Sequence, residues 1–125
     1  MSTESNLDNR SEIAASDLSA NQFYAVTVGS TGLAIATAAK SCDGILQDKP
    51  ISGQIGCYAR RGRTKAAISA SQTITKGGLL EIASGGTLVP IASGIAVAKA
   101  MESLVSVAAV RLISVELLPA AGLYA

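Results

Sequence analysis

The sequence predicts an all-β fold, a small β-sandwich or barrel, and two features support this. Short apolar runs alternate with glycine-containing turns; the clearest case is residues 79–82 and 87–91, joined across a Gly-Gly pair. Such a pair between short apolar runs is typical of a β-hairpin. Hydrophobic residues form 49% of the 125 residues, with no tryptophan and one phenylalanine. A core of small aliphatic side chains suits thin, closely packed sheets better than a deep ligand cavity.

Residues 1–19 are expected to form a flexible N-terminal arm, and residues 20–125 a single β-rich domain. The arm is polar and acidic and has no sustained periodicity, so it does not supply a face that could pack. Two interpretations stay open for it. It is either an untethered tail or a segment that lies on a neighbouring molecule through Ile13 and Leu18.

The remaining strands are predicted from period-two alternation and turn residues. Residues 21–28 alternate, and a glycine-containing turn leads into a returning strand at 33–38. Pro90 lacks an amide donor, which places its strand at an edge or beside a bulge. Residues 96–104 would also suit a helix, and the state of 101–106 stays open. Further strands are predicted at 44–47, 54–60, 63–68, 94–100 and 109–118.

The two halves of the chain follow the same order of elements. Residues 21–46 and residues 77–96 each run as strand, glycine-containing turn, strand, loop and a Gly-Ile pair, and another apolar strand follows each. This order indicates an internal duplication of one β unit. Two such units packed together predict a small sandwich or barrel.

The predicted C-terminal strand is apolar on both faces. One face carries Ile113 and Val115, and the other carries Val110, Leu112 and Leu118. A strand of this kind is expected to be covered on both sides, either by a second sheet or by a partner subunit.

Residues that could carry chemistry are missing or scattered. The chain has no histidine, which excludes Ser/His and Cys/His nucleophile pairs. Cys42 and Cys57 lack metal-ligand spacing and are interpreted as small buried side chains, although a disulfide between them fits the spacing. The glycine pairs precede strands rather than a helix, unlike a phosphate-binding loop. We therefore expect no enzyme, no metal and no cofactor.

Arg60, Arg61, Arg63 and Lys65 form the one concentration of positive charge, here called the basic cluster. The cluster could hold an acidic protein surface or phosphates, or it could be a solvated strand end. The net charge is +1, and three tyrosines and one phenylalanine leave little for base stacking. Solvent or protein is therefore favoured over nucleic acid. The polar, acidic start carries no signal peptide, and no apolar run is long enough to span a membrane, so the chain is expected in a cytosol without membrane contact.

Several segments together resemble the small capsid decoration (cement) proteins of tailed bacteriophages. The resemblance covers about residues 17–118, and its sharpest part is the run Gly-Ile-Leu-Gln-Asp-Lys-Pro. Its segments are DLSANQFYAV at 17–26, GILQDKP at 44–50, GRTK at 62–65 and ITKGG at 74–78.

The resemblance implies a β-rich homotrimer that binds the major capsid protein on the outside of the assembled shell, after synthesis in the host bacterial cytoplasm. Members often use an N-terminal arm that orders on the shell. Capsid contacts would then come from Ile13, Leu18 and the basic cluster, and the trimer interface from Val110, Leu112 and Leu118. The alternatives are a head-fibre base or tail component, or a small β module that binds nucleic acid or carbohydrate.

Overall fold

The computed structural model describes residues 8–92, 94–105 and 109–117, and the structural statements that follow concern these residues. They form β-strands joined by turns and contain no helix, which confirms the all-β prediction. The strands are β1 (Asp8–Ile13), β2 (Ala25–Gly29), β3 (Gly32–Ile35), β4 (Gly44–Leu46), β5 (Ile55–Ile68), β6 (Leu79–Ile82), β7 (Leu88–Pro90), β8 (Ala98–Ala100) and β9 (Arg111–Leu117).

The C-terminal part of the chain is a closed five-stranded barrel, called the second unit (62–117). Its strands pair in the order β5, β7, β6, β8, β9, and β9 returns to β5 over the range 62–68. The parallel pair between Ile68 and Leu88 joins β5 to β7. The predicted hairpin is present as the antiparallel pair β6–β7. Closure leaves this part of the sheet without a long free edge.

The N-terminal part, called the first unit (8–61), has the same strand arrangement. Its strands pair in the order β1, β5, β4, β2, β3, through residues 55–61 of β5. A parallel bridge between Ala14 and Leu33 connects β3 back to the end of β1. The Ala15 amide reinforces it by donating to the Leu33 carbonyl at 2.9 Å. The long strand β5 therefore ends one unit and begins the next.

Backbone hydrogen bonds repeat between the units at a nearly constant residue spacing. Each bond in the following pairs has the same place in its unit: Tyr24 N to Asn21 O and Gly78 N to Thr75 O; Leu46 N to Tyr24 O and Ala100 N to Gly78 O; Asp43 N to Val26 O and Val97 N to Leu80 O; Ala36 N to Ala25 O and Ile91 N to Leu79 O; Gln47 N to Cys57 O and Met101 N to Ser114 O; Ala15 N to Leu33 O and Ser69 N to Leu88 O. The predicted duplication is thus visible in the hydrogen-bond pattern, where residue identity is too low to show it.

Two apolar clusters form the core. The smaller one fills the first unit and contains Ala14, Leu18, Val26, Leu33, Leu46 and Tyr58. The larger one fills the second unit and also takes in Ala25, Ala36, Ile45 and Ala59 of the first unit. Because alternate residues of a strand point to opposite faces, the first unit packs its interior with one set of residues and packs against the second unit with the other.

The expectation of a flexible arm does not hold for residues 8–19. Asp8–Ile13 forms β1, paired antiparallel with β5, and the side chains of Ala14 and Leu18 are buried. The strand forms because β5 otherwise leaves an edge of unpaired amides. Leu18 is held because its amide donates to the Pro50 carbonyl at 2.9 Å. Residues 1–7 lie outside the described part of the chain.

Two other details differ from the sequence-based expectation. The break predicted at 61–62 is absent, because β5 continues through these residues. Its pairing with β1 shifts register there, and Gly62 has a φ of 97°. Glycine adopts this conformation without strain. The helix considered over 96–104 is also absent: residues 98–100 form β8, and Leu104 bridges to Ile74.

Candidate functional site

The structure separates the two apolar residues expected to contact a capsid. Ile13 is 41% exposed at the end of β1. Leu18 is 1% exposed inside the first unit, so its assignment as a contact residue is wrong. Its side chain lies in the core of the first unit, in the cluster that contains Leu33, Leu46 and Tyr58. Ile13 is therefore the member of this pair available for contact.

The basic cluster lies in the middle of β5, where the two units meet. Arg60 is the extra residue at the register shift between β1 and β5, a local bulge that changes the direction of the strand. Arg61 and Lys65 are exposed, and Arg63 is half-buried. Arg63 pairs with Glu116 across β9. The cluster therefore presents a short basic row beside one cross-strand carboxylate.

The outer face of β9 is open in the described part of the chain. Val110 and Leu112 are both about half exposed, while Ile113 and Val115 point into the barrel and are buried. The second face is thus apolar and exposed at Val110 and Leu112, and the half-buried Ser114 and the exposed Glu116 follow on the same side of the strand. Leu118, the third residue assigned to a trimer interface, lies outside the described residues.

Carboxylates that looked scattered in the sequence accept hydrogen bonds from backbone amides of strands. The Asp48 carboxylate accepts from the Cys57 amide at 3.1 Å, and that of Glu102 accepts from the Ser114 amide at 2.8 Å. These two bonds occupy the same place in the two units. Asp43 accepts from the Val28 amide at 2.7 Å. Acidic side chains that accept hydrogen bonds from backbone amides stabilise the fold. The spacing of these residues in the sequence gives no sign of such long-range bonds.

The thiols are free and weakly acidic. Cys42 and Cys57 are both unpaired. Burial raises the pKa of Cys42 to about 12, and the neighbouring Asp43 charge adds to the rise. Burial also raises the pKa of Cys57. Within the described ranges, no group of three or more His, Cys, Asp or Glu side chains could hold a metal ion, and no helix is long and apolar enough to cross a membrane.

Glu81 fixes the loop after β7 by accepting two amides. Its Oε1 accepts from Ala92 N at 2.9 Å and from Gly94 N at 2.8 Å. These two hydrogen bonds hold the pKa of the Glu81 carboxyl below its usual range, and the bond from Ala92 has the larger effect. Because the folded-state pKa is lowered, the stabilisation is present above the unfolded-state pKa. It is lost as the pH falls through the folded value.

Acidification is therefore expected to loosen this loop before the barrel. Amide-exchange protection of Ala92 and Gly94, measured by NMR, should fall below about pH 4 while that of Leu80 persists. Glu81→Gln should reproduce the loss at pH 7, and Glu116→Gln is the matched control. Protection of the loop that stays constant down to the acid unfolding transition would contradict the assignment.

Exposed apolar residues extend beyond the three that the sequence interpretation singled out, which were Ile13, Val110 and Leu112. They lie on strands and loops of both units: Ile13, Val28, Ile51, Ile55, Leu79, Ile91, Val105, Val110 and Leu112. Such a surface can bind another surface by burying apolar area. The available signal was the unusually apolar composition, with a mean hydropathy of +0.41.

No protein-family model and no curated protein matches the chain. Among solved structures, it is similar to the head fiber gp8.5 N base of bacteriophage phi29. The two share 17% sequence identity and a TM-score of 0.62, over 90% of this chain and 94% of that chain. The likeness therefore extends over the fold as a whole, including both units.

Proposed function

We propose that this chain is a structural protein of a phage virion, and specifically a capsid decoration protein that binds the major capsid protein on the outside of the head as a homotrimer. The observation that carries the proposal is the fold shared with a phage head-fibre base along almost the full length of both chains. The apolar, partly basic surface supports it, because adhesion needs no reactive group. The proposal includes no catalytic step.

The proposed mechanism is stabilisation by mass action. A subunit that binds the assembled shell and not its dissociated parts stabilises the shell by its binding free energy. At a free concentration of 100 times Kd, this amounts to about 2.7 kcal/mol per site. Many equivalent sites multiply the effect over the particle. A β fold held by paired strands suits this role because little conformational entropy is lost on binding.

A head-fibre base is the second candidate, and the similar structure itself favours it. The two roles differ in what the bound protein does. A decoration protein stabilises the shell, whereas a fibre base anchors a further component and need not stabilise the shell.

Binding and stabilisation are measured together on undecorated heads. Purified protein is incubated with such heads, bound protein is quantified after sedimentation, and the temperature of shell disruption is followed by light scattering. Saturable binding with a higher disruption temperature is expected. Saturable binding with an unchanged temperature would favour the fibre base, and absence of binding would contradict both roles.

Charge reversal in the basic cluster is expected to weaken this binding. The double change Arg61→Glu and Lys65→Glu should raise the apparent Kd about 10-fold or more at low salt, because like charges then oppose an acidic shell surface. Lys40→Glu with Lys49→Glu makes the same change in net charge at two other exposed positions and is the control. Equal occupancy of heads by both variants would show that the cluster does not face the shell.

A further inference from the structure

The contact between the two units is an interface between unlike faces. The first unit contributes its docking face, defined by Phe23, Ala25, Ala36 and Ala39. The second unit contributes its receiving face, defined by Ala67, Ile82, Gly86 and Gly94. Four backbone hydrogen bonds cross it: Ala67 N to Phe23 O at 2.9 Å, Ala25 N to Gly86 O at 2.9 Å, Ala39 N to Ile82 O at 2.8 Å and Ile95 N to Ala39 O at 3.3 Å.

Because the units repeat, each also has the other kind of face. The second unit has its own docking face, with Gly77, Leu79 and Ile91 at the places of Phe23, Ala25 and Ala36. The first unit has its own receiving face, with Ile13 and Val28 at the places of Ala67 and Ile82. These assignments follow from the shared strand registers and hydrogen bonds. Within one chain, nothing in the described residues occupies these two outer faces.

The exposed apolar residues coincide with these outer faces. Residues that are 36–42% exposed there occupy places that are 0–3% exposed in the internal interface. The pairs, with the exposed residue first, are Ile13 and Ala67, Val28 and Ile82, Leu79 and Ala25, and Ile91 and Ala36. Four exposed apolar side chains thus lie at places whose equivalents are buried in the contact between the two units.

One backbone donor and one pair of side-chain sizes also match. The Ile13 amide takes the place of Ala67 N. It donates a long hydrogen bond of 3.4 Å to the Glu12 Oε1 of the preceding residue. The large Phe23 meets the small Ala67 in the internal interface, whereas the corresponding outer pair is the small Gly77 and the large Ile13. The large side chain is on the docking face in the internal contact and on the receiving face in the outer one. In both contacts it meets a small residue, so the contact is not overpacked.

We propose that copies of this chain bind head to tail, with the docking face of the second unit of one copy on the receiving face of the first unit of the next. The occupant of each outer face is a second copy, because that copy carries the complementary face. The Gly77 carbonyl of one copy would accept from the Ile13 amide of the other. This self-association does not depend on the virion role.

Charges make the contact between copies more polar than the internal one. Lys99 and Glu116 stand in the second unit where the first unit has Ile45 and Ala59. The polar positions also keep a single copy soluble before it associates.

A contact between two different faces is heterologous, so it closes into a ring or continues as a filament. It also predicts complementation. A copy damaged on its docking face keeps a working receiving face, and a copy damaged on its receiving face keeps a working docking face. Mixing the two kinds of copy should therefore yield a dimer with one intact contact.

The test uses Leu79→Glu on the docking face and Ile13→Glu on the receiving face. Wild-type protein should sediment above the 12.6 kDa monomer in analytical ultracentrifugation. Each variant alone should be monomeric, with association weakened at least about 100-fold by the buried, unpaired carboxylate. An equimolar mixture of the two variants should form a 1:1 dimer. Val105→Glu, at a 79% exposed position elsewhere, should associate like the wild type.

Circular dichroism shows whether each variant remains folded, and Leu79→Ser and Ile13→Ser replace any variant that does not. Monomeric wild-type protein at all accessible concentrations would overturn the proposal. Unchanged association of folded variants, or a mixture that remains monomeric, would also overturn it. So would loss of association in Leu112→Glu alone, because that result would place the contact on the outer face of β9.

Discussion

Removal of residues 1–16 is expected to lower the free energy of unfolding by at least about 3 kcal/mol, a large part of the 5–15 kcal/mol that holds a typical domain folded. The deletion takes away β1, which pairs along β5, and Ala14, which closes the first unit against Leu33. Leu18 would lose its cover, and the smaller core cluster would open to water. Urea unfolding followed by circular dichroism measures the change.

A change on the same strand that keeps its backbone is the matched control. Ser11 is exposed on β1, so Ser11→Ala should alter stability by no more than about 0.5 kcal/mol. A deletion variant as stable as the full chain would show that β1 is not part of the folded domain. That outcome would restore the interpretation of residues 8–16 as a free arm.

A side chain at position 44 is expected to be among the most damaging single substitutions. A Cβ on Gly44 would lie 2.2 Å from the Ala59 carbonyl oxygen and 2.8 Å from the Tyr58 ring. The backbone atom belongs to the central strand β5 and cannot move without disturbing both units. Gly44→Ala should therefore lower the unfolding free energy by about 3 kcal/mol or more, in the range of the larger overpacking effects.

Gly29→Ala is the control for this substitution, because a Cβ there meets its nearest atom at 3.8 Å. The corresponding position in the second unit, Ala98, already carries a methyl group in the core. The close approach is thus particular to the first unit, where β4 crosses β5. Equal melting temperatures for the two variants would show that the approach of these strands is looser than described.

The sequence predicts the strands whose own side chains alternate. Residues 79–82 and 88–90 are recognisable because apolar runs and a glycine turn carry the local signal. β1 is not, because its sequence, DNRSEI, has no apolar face and its stability comes from the edge of β5. Leu18 was misassigned for the same reason: a distant strand buries it, and no local pattern shows this.

The candidate site, too, is predicted only in part by the sequence. The basic cluster is evident from composition, and its position at the meeting of the units needs the structure. Asp48 and Glu102 look unrelated in sequence, yet each accepts a hydrogen bond from the equivalent backbone amide of its own unit. The order of elements correctly predicts the duplication, but only the registers show that Leu79 and Ala25 occupy equivalent places.

Imaging of purified virions by cryo-electron microscopy, combined with mass spectrometry of the same particles, tests the proposed virion role most directly. Density for paired five-stranded barrels on the outer surface of the head, at positions contacting the major capsid protein, is the expected result. Particles that are complete and infectious but lack this polypeptide by mass spectrometry would contradict the assignment of the chain to the virion.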